Sequence, residues 1–247
     1  MGYAAGAGLW LVSLLFPTPW RYVVWVVAQV LELSLPPLST HLHRRIPTSA
    51  RHLPERWALF TLIVLGESVV AVAIATAGAH WHFTSAAAAV LGFASVAAIW
   101  WLYFDRQGDV ALRGSTMSIV VYSYAHLPLL IGLAAMSAGL RLLIQRAGED
   151  HLGTGASVAF LGGAVVFIVS LIATRLVTVR GSHRRGVSVK LGAAAVILGL
   201  LAIQSVVPPL AVAAGLAAVL ASLVFVERML GPGHETLCRC ISAEEVT

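Results

Sequence analysis

The sequence predicts an all-α, polytopic transmembrane helical bundle of about eight spans, and three observations carry that prediction. Of 247 residues, 59% are hydrophobic and only 11% charged, with a mean hydropathy of +0.88, whereas a soluble domain is roughly half apolar and about a quarter charged. The apolar residues gather in eight runs bounded by polar or proline-containing breaks, and about 20 such residues carry a helix across a bilayer. Arginine and lysine concentrate in alternate loops, as the positive-inside rule requires. A water-soluble globule is excluded, and a chain of this length has no room for a soluble catalytic domain beside the spans. The expected organisation is one membrane domain over residues 1–230 and a polar cytoplasmic tail over 231–247.

The first run, Tyr3 to Phe16, is short for a bilayer and begins without a flanking loop, as a truncated start would. It has no basic segment ahead of it, and Gly6 stands where a myristoylation signal needs Ser or Thr, so neither a cleaved signal nor a lipid anchor is expected. The second run is Tyr22 to Leu38. The third, Trp57 to Ala79, is prepared by Pro54 in a first helical turn and by Glu55 near the helix N-terminus, where a negative charge is favoured by the positive end of the dipole. Ser85 to Tyr103, Ser118 to Leu140 and Ala156 to Val177 follow; Ala86 to Ala89 in the first of these suits close helix packing, because small side chains let backbones approach. Leu191 to Val207 and Leu210 to Leu230 are separated only by the Pro208-Pro209 break. Prolines end a helix and restrict the residue before them, so a hairpin is the simplest reading and one long kinked helix the alternative.

Twelve cations fall on one side of these spans: Arg44, Arg45, Arg51 and Arg56, then Arg106 and Arg113, then Arg180, Arg184, Arg185 and Lys190, then Arg228 and Arg239. The other side receives Arg21, Arg141 and Arg146. Both termini are therefore expected in the cytoplasm. The net charge of +5 and pI near 9.8 describe loops facing anionic lipid, not a nucleic-acid partner. Trp20, Trp57, Trp100, Trp101 and Tyr103 lie near span ends, where amphipathic rings prefer the interface.

Cofactor and metal chemistry find no support. Cys238 and Cys240 form a lone C-x-C in the tail, His41-x-His43 and His80-x-His82 lack a third ligand, and no phosphate-binding glycine loop, H-E-x-x-H or G-x-S-x-G occurs. Asp105 and Asp109, near Arg106 and Arg113, make a solvated, roughly neutral loop.

Ionisable groups within spans cost about 2.5–3.5 kcal/mol each at the helix centre, so each needs a reason. Three stand out: Glu32, Glu67 and His126. At about 1.5 Å per residue, Glu67 lies about 15 Å in from Trp57, His126 about 12 Å in from Ser118, and Glu32 about 15 Å from Tyr22 on the other face. One depth permits one cluster, in which carboxylate and imidazole exchange a proton; the alternative is that each simply fixes packing. Arg56 and Glu67 are nearly three turns apart and share a helical face that joins the cytoplasmic entrance to the membrane centre.

The stretch containing His52, Leu53, Glu55, Arg56, Leu59, Phe60, Leu65, Gly66, Glu67 and Ser68 resembles the bacterial low temperature requirement protein A family, whose pattern reads His-Leu-x-Glu-Arg, Leu-Phe, Leu-Gly-Glu-Ser. Trp100 to Asp105 and Tyr122 to Pro128 are similar to later family segments, so the resemblance covers roughly Trp10 to Phe225. An early family span with a Phe-Phe-Asp-Leu-type motif is absent. The resemblance implies a multi-pass protein of the bacterial inner (plasma) membrane, named for a cold-growth phenotype, with Ser68 and Tyr122 as further motif residues. It supplies no biochemical activity.

The expected function is proton-coupled transport of a small solute, with Glu67 as proton-binding carboxylate and His126 as its partner or relay. An intramembrane lipid-modifying enzyme using His52, Glu55, Arg56 and Asp105 at the interface is the alternative, and a structural or sensory membrane protein is the third reading. The expected partners are the lipid bilayer, a small solute or proton, and either further copies or a missing N-terminal segment.

Overall fold

Each of the eight apolar runs folds as a helix in the computed structural model, which describes residues 2–38, 52–77, 82–105, 116–176 and 184–229. These are α1 (Gly2–Val12, continued by a 3-10 turn, Ser13–Leu15), α2 (Trp20–Leu38), α3 (Leu53–Ala77), α4 (Phe83–Phe104), α5 (Thr116–Gln145), α6 (Thr154–Leu176), α7 (Arg184–Ala202) and α8 (Pro209–Met229). Among the described residues there is no strand, and α3, α4, α5, α6 and α8 are long and apolar enough to cross a membrane. The shorter helices are α1, with 11 residues, and α2 and α7, with 19 each. The polar tail, both cysteines, His41, His43 and His80 lie outside the described residues, as does Asp109.

Local chemistry sets the boundaries. Ser85 accepts from the His82 backbone N–H at 3.1 Å and donates back to the His82 carbonyl at 2.9 Å, closing the first turn of α4. Gly153, at φ +84°, reverses the chain into α6 in a conformation that costs glycine nothing. The Pro208-Pro209 break makes a hairpin: α7 ends at Ala202, α8 opens on Pro209, and Gly215 packs on Leu200 across the antiparallel pair.

Six helices form a closed circuit in the order α3, α5, α6, α7, α8, α4 and back to α3, with α4 also touching α5. Trp57 meets His126 and Ser68 meets Ser137, so α3 and α5 run parallel at a constant offset of 69 residues. Where α5 and α6 cross antiparallel, Gly132 faces Gly163 so closely that a Cβ on Gly163 would lie 2.5 Å from the Gly132 carbonyl oxygen. Beside this crossing α6 contains a π turn, Val158–Gly162, lying against Gly139. The interior is filled by Leu129, Leu133, Met136, Leu140, Phe160 and Phe167.

The α1–α2 pair is an antiparallel hairpin outside this circuit. Trp25 Nε1 donates to Ser13 Oγ at 2.8 Å, and Gly6 leaves the space that the Glu32 carboxyl occupies. The Tyr124 hydroxyl donates to the Leu33 carbonyl and ties the hairpin to α5.

Candidate functional site

The sequence-predicted candidates do not gather at one depth. The 69-residue offset places Glu67 level with Met136, ten residues beyond His126, or about 15 Å along the bundle. Counting inward from Ser118 misplaced His126, because at the 69-residue offset Leu53 is level with Tyr122, and α5 already begins at Thr116, ahead of the start of α3. Glu67 is exposed on the outer face of α3, Glu32 lies in the α1–α2 hairpin against Gly6, and among the described residues no hydrogen bond joins any two of the three. Ser68, beside Glu67, is buried and pairs with Ser137 Oγ at 2.5 Å.

His126 is wholly buried in an aromatic setting. Trp57 stacks on its ring at 4.9 Å and Tyr122 lies at 4.4 Å. Its Nδ1 is 2.8 Å from the Tyr122 carbonyl, which only accepts, so Nδ1 carries the hydrogen; Nε2 then accepts from the Tyr103 hydroxyl at 3.0 Å. Both ring nitrogens are therefore satisfied, by α4 and by its own helix, while α3 supplies the stacked Trp57 ring.

Three charges that the sequence reading left out of the site lie at this same end of the circuit. Lys190 of α7 donates to Glu227 Oε1 of α8; Arg175 of α6 approaches Glu227 Oε2 through Nη1 at 3.4 Å. The side chains of Lys190 and Glu227 are 4% and 7% exposed, that of Arg175 20%. Arg175 Nη2 reaches across the interior to the Leu102 carbonyl of α4 at 3.0 Å, one residue from Tyr103. Beside it, the exposed Arg228 guanidinium lies 3.9 Å over the Trp101 ring. Four helices are thus joined by one carboxylate and two cations, and Leu102-Tyr103 carries the layer to His126. The signal was present: of the sixteen Lys and Arg residues, Arg175 alone fits no loop. Lys190 counts among the loop cations, and Glu227 lies close to the end of the last apolar run, where charges ordinarily meet water.

The remaining motif residues stand at the same end. His52 Nδ1 and Glu55 Oε2 pair at 3.1 Å, with both side chains exposed at the start of α3; Arg56 is exposed next to them, and Asp105 is exposed after α4. Tyr122 is buried against His126. Among the described residues no group of three or more His, Cys, Asp or Glu is arranged to hold a metal.

Comparison with known proteins agrees with the motif. The model of the bacterial low temperature requirement A protein matches residues 1–225. An uncharacterized protein of Rhizobium meliloti is 26% identical over 68% of this chain, and the match covers 45% of that protein, so the chain spans about half the length of this relative. No solved structure matches. A match over nearly the whole length, on a bundle with five helices suited to crossing a membrane, makes this chain a membrane protein that belongs to the bacterial low temperature requirement A protein family.

Proposed function

We propose that this protein carries a small solute through the bacterial inner membrane in exchange with or together with protons, and that the Arg175–Glu227–Lys190 layer is its gate. The observation that supports this reading is Arg175 reaching from α6 across the interior of the circuit to α4 while Glu227 of α8 holds it in place. A charge inside a helical membrane bundle is expensive, and its usual role is on a solute or proton pathway. Here the three groups oppose the separation of α4, α6, α7 and α8. A proton on Glu227 cancels its attraction for both cations and loosens the hold of Arg175 and Lys190 on α8, so the gate answers to protons through one carboxyl. Below this layer the interior is filled by apolar side chains, and passage requires the circuit to open. Glu67, on the outer face, has no part in this gate.

Proteoliposomes loaded with a pH-sensitive dye, and challenged in turn with small organic cations and anions, test the reading. Wild-type protein is expected to couple proton movement to at least one of them. Glu227→Gln, which mimics the protonated carboxyl, is expected to leave solute movement that no longer depends on pH. Proton-coupled movement unchanged by Glu227→Gln removes the gate, and no movement of any solute by wild-type protein removes the transport reading.

A further inference from the structure

The outer face of α3 holds a carboxyl group where the bundle offers it nothing. Glu67 stands near the middle of a 25-residue apolar helix, exposed, with no hydrogen bond among the described residues. Its neighbours on that face are spaced four and three residues apart: Phe60, Ile63, Glu67, Val70 and Ile74, all exposed. This is the 4-3 spacing of a seam between two helices, and one polar residue within such a seam fixes its register. Next to Glu67, Gly66 has open space where a Cβ would be, so a second backbone can come close. Facing lipid, the group costs about 2.5–3.5 kcal/mol at mid-span by insertion scales, whereas polar side chains that bond across a helix pair help to hold it together.

We infer that α3 is the contact between two copies of this chain, with the two Glu67 carboxyls bonded to each other across the seam. The group itself argues for a second copy. A twofold interface sets the same residue opposite itself, and a carboxylic acid is self-complementary: one protonated oxygen donates to the other carboxyl. The parallel, in-register pairing also suits two copies inserted with the same orientation. The inference is independent of the transport reading, because it uses only the outward face of α3.

The test uses the 247-residue chain, with Cys238 and Cys240 replaced by serine, in native membranes and in purified form at low density in bilayers. Ile63→Cys and Ile74→Cys are expected to form disulfide-linked dimers on mild oxidation. Leu62→Cys and Val69→Cys, also exposed but turned away from the seam, are expected to form at most a tenth as much. By fluorescence transfer between labelled copies, Glu67→Leu is expected to weaken association roughly tenfold, the equivalent of about 1.4 kcal/mol, while Glu67→Gln, which still donates and accepts, retains most of it. Equal cross-linking at all four positions overturns the proposal. So does association unchanged by Glu67→Leu, or cross-links from the seam only to some other protein. Loss of proton-coupled movement with the dimer intact would strike the gate and leave this interface standing.

Discussion

Glu227 does what a loop charge cannot. It is buried, and two cations from different helices converge on its two oxygens. Taking a pair of charges out of water gains little net stability, but removing one partner leaves the other uncompensated, at a cost of about 3–5 kcal/mol. Glu227→Ala removes the carboxylate on which Lys190 and Arg175 converge and is expected to lower the unfolding midpoint in detergent by the equivalent of about 3 kcal/mol. Lys190→Met leaves Glu227 with Arg175 and is expected to cost less. Equal, small effects from the two substitutions would mean that water reaches the cluster. The sequence made Glu67 and His126 visible because they stand deep inside apolar runs. The triad was hidden because each of its members lies within about two turns of a span end, where a charge ordinarily snorkels to the interface. His126 was legible as a buried polar group, yet its role was not: no spacing in the sequence reveals that Tyr103 and the Tyr122 carbonyl satisfy both nitrogens.

Glycines decide how closely the elements approach. At the α5–α6 crossing, a Cβ on Gly163 meets the Gly132 carbonyl oxygen at 2.5 Å and Met136 N at 2.7 Å, both of them backbone atoms of the facing helix. That backbone must move, so Gly163→Ala is expected to destabilise the bundle by about 1–3 kcal/mol. Gly192, on α7, has nothing within 4 Å of the same construction. Gly192→Ala is expected to be neutral or to stabilise by up to about 1 kcal/mol, because alanine loses less backbone entropy in a helix. Thermal unfolding of the two variants side by side checks the contrast, and a reversal of their order would refute the close crossing. Helix existence was legible throughout, since all eight apolar runs fold where composition placed them. Partnership was not legible: nothing in one sequence gives the 69-residue offset between α3 and α5, and that offset is what separates Glu67 from His126 by about 15 Å.

The whole molecule is polarised along its long axis. Trp57 beside His126, Arg228 over Trp101 and the Arg175–Glu227–Lys190 layer all stand at one end, which is also the end that begins α3 and finishes α8. By their place in the sequence, twelve of the sixteen Lys and Arg residues belong to the connecting segments and adjoining helix turns of that end, against three at the other. Each cation near an anionic leaflet contributes about 1 kcal/mol of attraction, and short basic loops are retained on the cytoplasmic side during insertion. An even number of crossings then returns the chain to the side from which it started. The three shorter helices make this a sharp question, because α1, α2 or α7 lying in the interface would change the parity. Reporter fusions at residue 1, at residue 80 and at residue 230 separate the cases. The expected pattern is a cytoplasmic signal at both ends and an external signal at residue 80. An external signal at residue 230 would mean that one of the last helices does not cross, and the ionic layer joining α6, α7 and α8 could not then sit at one face of the membrane.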